Sequence, residues 1–127
     1  MQLEISKNVV HWLYDECFPM FLSFAHVRIQ LHNYPDNVEY YTNIIVKYTL
    51  ENVISKFSRK YGKIPLHYKI KLEPAEIICL YRFLFNYSIP EKQHWRIQQR
   101  QFLIDQLHKG MEDFAIQYHN SQQQHTS

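Results

Sequence analysis

Two glycines, Gly62 and Gly110, and five prolines are too few for a β-sandwich or barrel, whose many short strands need a tight turn every few residues. The same scarcity of glycine excludes a Gly-rich phosphate loop. Only two cysteines are present, Cys17 and Cys79, far apart and in apolar surroundings. They form no CxxC motif and cannot make a disulfide framework, so two buried, reduced thiols are expected. No apolar run approaches the ~18 residues of a membrane span. The first residues also lack the basic segment and apolar stretch of a secretory signal, and a cytoplasmic protein is expected.

Aromatic rings are abundant: ten Tyr, eight Phe and two Trp in a chain of 127 residues that is 46% hydrophobic. That is enough for one ring-rich core, and residues 1–119 are expected to form a single helical domain. The polar, Gln-rich segment 120–127 is expected to be a disordered tail.

The hydrophobic period changes along the chain. Leu66, Tyr68, Ile70 and Leu72 alternate with His67, Lys69 and Lys71, the pattern of a half-buried strand. Leu3 and Ile5 alternate in the same way with Gln2, Glu4 and Ser6. Two lone strands in a helical chain have few partners except each other. Residues 2–6 are therefore expected to pair with 66–72, placing Glu4 near Lys69 or Lys71.

The remaining segments have helical spacing. After Ser6, a plausible N-cap, Val9, Val10, Leu13, Cys17, Met20, Phe21, Phe24, Val27 and Leu31 trace one face expected to be buried, with a kink or break near Phe18 ahead of Pro19. Residues 25–32 also alternate as a strand would, and helix continuation is favoured. Asp36 and Glu39 have capping-box spacing before a helix that Gly62 would close. Glu73-Pro74-Ala75-Glu76 and Ser88-Ile89-Pro90-Glu91 signal two further helix starts. The expected fold is mainly α, about four helices packed as a bundle with a small two-stranded sheet.

Three kinds of function fit these residues. Trp12, Tyr34, Tyr40, Tyr41, Tyr87 and Trp95 exceed what one small core hides, and rings left outside mark interfaces, so a non-catalytic module binding a protein partner or itself is the leading expectation. The alternative is nucleic-acid binding through the phosphate backbone. Residues 56–72 hold six bases (Lys56, Arg59, Lys60, Lys63, Lys69 and Lys71) and no acid, with His67 among them and Arg96 and Arg100 able to extend the surface. Against it, helix-end cations complement the macrodipole, and strand lysines guard an edge. The third is an enzyme using a His/carboxylate pair such as His11 with Asp15 or His108 with Glu112, with no nucleophile placed beside either. Glu91 with His94 and Asp105 with His108 have ligand-like spacing but lie ~14 residues apart on one expected helix, roughly 21 Å. No metal, cofactor or catalytic residue is therefore expected.

Overall fold

A computed structural model of the chain describes residues 1–31, 37–63 and 65–126, with side chains described through residue 123. The elements in order are β1 (Gln2–Ser6), α1 (Lys7–Trp12), a π-helical segment (Leu13–Cys17), α2 (Phe18–Leu31), α3 (Val38–Ser58), β2 (His67–Lys71), α4 (Pro74–Asn86) and α5 (His94–Thr126). Because α1, the π segment and α2 run on without a break, the fold is mainly α, with four helical rods and one two-stranded sheet among the described residues. The chain divides into two compact units, residues 2–71 and Met1 with residues 72 onward.

In the first unit β1 and β2 pair antiparallel, Gln2 opposite Lys71 and Ser6 opposite His67. The pleat sends Leu3, Ile5, Tyr68 and Ile70 inward and Gln2, Glu4, His67, Lys69 and Lys71 outward. Glu4 lies opposite Lys69, with Oε1 4.0 Å from Nζ. Leu66, expected inside, is exposed: it precedes β2, and its carbonyl accepts from the Lys7 amide at 2.8 Å. The Ser6 hydroxyl caps α1 by accepting from the Val9 amide at 3.3 Å.

Pro19 acts one turn earlier than a simple kink would. It has no amide to continue the i→i−4 ladder, and its ring crowds the carbonyl four residues back. The preceding turn is widened, and the Phe18 amide donates to Leu13 O, five residues back. One extra residue in a turn advances the buried face by one position. Cys17 still lies in the core, but beyond it the buried residues are Phe18, Phe21 and Ala25. Met20, Phe24, Val27 and Leu31, expected to be buried with Val9 and Leu13, are instead turned to solvent.

α2 and α3 pack antiparallel. Arg28 lies 3.7 Å from Glu39, and the buried Asn43 amide donates to Arg28 O at 3.5 Å. At the other end Phe18 meets Phe57 edge to face with centroids 5.1 Å apart. The N-cap of α3 is Asn37, whose Oδ1 accepts from the Glu39 amide at 2.9 Å; Asp36 lies outside the described residues. α3 ends at Ser58, although the Tyr61 amide still bonds to Phe57 O at 3.1 Å, and Gly62 turns the chain at φ +75°.

In the second unit Pro74 occupies the first turn of α4, and the buried Glu76 carboxylate accepts from the Glu73 amide at 2.7 Å. Ile77, Cys79, Leu80 and Leu84 of α4 and Leu103 and Leu107 of α5 are buried. Gly110, inside α5, is a packing site: a Cβ there would run into Met1 Sδ, so the missing side chain makes room rather than ending the helix. α5 starts at His94 rather than near Pro90, since Pro90 to Gln93 close a turn through the Gln93 amide. It then continues through the polar segment to Thr126, where a tail was expected.

Phe57 is fully buried and in ring contact with Phe18. Phe57→Ala is expected to cost about 3–5 kcal/mol, a large share of a small protein's stability, read as a lower denaturation midpoint at unchanged slope.

Candidate functional site

The displaced stripe of α2 has an exposed apolar counterpart on α3. Met20, Phe24, Val27 and Leu31 are 44–68% exposed, and on α3 Val38, Tyr41, Ile44, Ile45 and Tyr48 are 39–78% exposed. At 3.6 residues per turn the α2 set lies about a third of a turn from its buried side, Phe18, Phe21 and Ala25, and the α3 set lies nearly opposite Leu50, Val53 and Phe57. Both helices are thus apolar on two sides. None of the nine residues is charged; Arg28 and Glu39, which border the set, are engaged with each other.

Of the aromatics singled out from sequence, Tyr40 and Tyr41 belong to this region, in contact edge to face with centroids 5.4 Å apart. Trp12 does not: it is 5% exposed, part of the core of the first unit, because the cap at Ser6 starts α1 with that position turned inward. Tyr87 is half-buried, its carbonyl accepting from Arg100 Nη1, and Trp95 is exposed near the start of α5. Tyr34 lies outside the described residues. The apolar residues that complete the face were missed because their spacing matches a buried helix, and only Pro19 signals the shift of phase.

The basic residues of the first unit lie at and just beyond the end of α3 and on the outward row of β2. Lys56 Nζ donates to Lys71 O at 2.9 Å, tying the end of α3 to β2. Lys69 approaches Glu4, whereas Arg59, Lys63, His67 and Lys71 have exposed side chains and Lys60 is half-buried. In the second unit Arg96 Nη1 donates to Gln93 Oε1 at 2.9 Å, and Arg100 to Tyr87 O.

A third cluster joins the π segment to the end of α3. The Tyr61 hydroxyl donates to Asp15 Oδ2 at 3.2 Å, its ring stacks on His11 with centroids 4.3 Å apart, and Tyr14 lies 4.8 Å from it. Asp15 therefore takes Tyr61 rather than His11 as its partner, and the imidazole packs as a ring, with Nε2 buried and unpaired. His108 Nδ1 lies 3.1 Å from Glu112 Oε1 on the open surface of α5. Among the described residues no group of three or more His, Cys, Asp or Glu is arranged to hold a metal, and no helix is long and apolar enough to cross a membrane.

Cys17 and Cys79 are buried and not joined in a disulfide. Burial pushes the Cys79 thiol up to about 11 from 9.0, with Arg82 opposing and Glu76 adding. The Tyr61 phenol is raised above 10.0, first by its hydrogen bond to Asp15 and then by desolvation and the Asp15 charge. Both groups hold their protons more tightly folded than unfolded. Their contribution to stability is complete below pH ~9 and is lost as pH rises through the folded-state values. Denaturation midpoints are expected to fall between about pH 9 and 11, and Asp15→Asn to remove the Tyr61 part of that slope. Cys79 is also expected to resist thiol reagents at neutral pH until the protein unfolds; rapid labelling of the folded chain would contradict this.

No protein-family model, curated protein or solved structure matches the chain.

Proposed function

We propose that this is a cytoplasmic, non-catalytic interaction module that binds protein through the outer face of α2 and α3. One observation carries the reading: nine large apolar side chains lie exposed on two neighbouring helices. Absence of charge at the centre with Tyr, Phe and Met present is the composition of an interface core. Two buried thiols not joined in a disulfide fit a reducing compartment.

A photo-crosslinking residue at Tyr48 tests this in cells. Protein adducts are expected there and not from the same probe at Gln98, an exposed polar position of α5. Equal yields from the two sites would remove the reading.

Phosphate-backbone binding by residues 56–71 is the second reading, supported by the contact of Lys56 with the Lys71 carbonyl, which sets helix-end and strand bases side by side. On it, affinity for DNA or RNA of arbitrary sequence falls steeply with salt, and Lys63→Glu with Lys69→Glu abolishes it. Salt-independent binding, or none, sinks it.

A further inference from the structure

We propose that the outer edge of β2 takes a third strand from a protein partner, an extended segment with carboxylates at alternate positions. The site uses none of the nine exposed apolar residues of α2 and α3 and stands whether or not they bind anything.

Register decides which backbone groups are open. The Leu72 amide donates to Met1 O at 3.0 Å and the Lys7 amide to Leu66 O at 2.8 Å, and in an antiparallel ladder the bonded pairs recur at every second residue. The pairs between them that carry bonds are therefore Leu3 with Ile70 and Ile5 with Tyr68. His67, Lys69 and Lys71 turn their amides and carbonyls away from β1. The Lys71 carbonyl agrees with this direction, since Lys56 Nζ reaches it from α3 at 2.9 Å. Among the described residues nothing bonds to the amides or carbonyls of His67 and Lys69, both exposed, and β1 is the one strand paired with β2.

The open groups identify the partner as peptide. Two donors and two acceptors alternate over roughly 7 Å of strand. A phosphate backbone accepts hydrogen bonds and leaves the two carbonyls unanswered, whereas an added strand answers all four groups. Two strands are the smallest sheet, and a third extends one whose inner face is already packed.

Charge selects the kind of peptide. Residues 56–72 hold six bases and no acid, and His67, Lys69 and Lys71 form the outward row of β2. Toward β1, Lys69 faces Glu4, with Oε1 4.0 Å from Nζ. A carboxylate of the added strand opposite Lys69 repeats that pairing on the outer side. Lysines guard an edge against a like strand, so a second β2 would set bases against bases. The guard that turns away another copy admits an acidic strand.

The test offers the full chain a capped heptapeptide in which Glu and Val alternate. Binding is expected, with amide hydrogen exchange at His67 and Lys69 slowed about tenfold or more. Methylating the peptide's backbone nitrogens keeps its charge, removes its donors and should abolish binding. Lys71→Glu, whose cross-strand neighbour is the neutral Gln2, should weaken it about fivefold or more. No binding at about 1 mM peptide overturns the inference. So does binding that survives methylation, that leaves both amides exchanging freely, or that a peptide alternating Lys and Val equals. Salt-sensitive binding of single-stranded oligothymidylate with none of the peptide overturns it in favour of the phosphate-backbone reading.

Discussion

The missing amide of Pro19 is the constraint on which the first unit turns. A helix that cannot make one i→i−4 bond widens instead of breaking, with the Phe18 amide reaching five residues back to Leu13. The cost is local, but the extra residue rotates everything after it. Phe18, Phe21 and Ala25 move into the core, and four large apolar residues move out. The same widened turn presents Asp15 and Tyr14 to Tyr61, so the disturbed segment is anchored against the end of α3 rather than left loose.

The result is a helical pair with two insides. The inner side of α2 and α3 holds Phe18, Phe57, Leu50 and Val53. Among the described residues Asn43 is its one buried polar side chain, and its amide donates to a backbone carbonyl of the neighbouring helix. The outer side is nearly as apolar and lacks a layer to cover it. A single layer of helices cannot bury both sides of itself, and that geometric shortage underlies the reading of the exposed stripes as a protein-binding surface.

Period and capping made much of this architecture legible. Strict alternation at Leu3 and Ile5 and at Tyr68 and Ile70 identified both strands, and their mutual need for partners led to the observed pairing, with Glu4 beside Lys69. Pro74 and Glu76 marked the start of α4, where they sit in its first turn. What could not be read was phase. Val9, Leu13, Phe24 and Leu31 lie on one face only if every turn between them is regular, and a wheel drawn through Pro19 keeps a phase that the backbone loses. For the same reason aromatics were taken as exposed by count, which put Trp12 outside and Phe24 inside, the reverse of their places. The role of Gly110 was equally hidden, because helix propensity counts a glycine as weakness and takes no account of Met1 filling its space.

The sheet ties the beginning of the chain to a distant stretch. Sixty-one positions separate Ser6 from His67, the nearest of its cross-strand pairs. A ribosome releases β1 first, and β1 must wait while both helices of the hairpin emerge before its hydrogen-bonding partner exists. Local helical contacts close quickly and this one slowly, since loop-closure entropy precedes any gain from the pairing. The nascent chain therefore exposes Leu3 and Ile5 throughout that interval. Sheet closure is the natural late step of folding, and the stage at which a chaperone has most to protect.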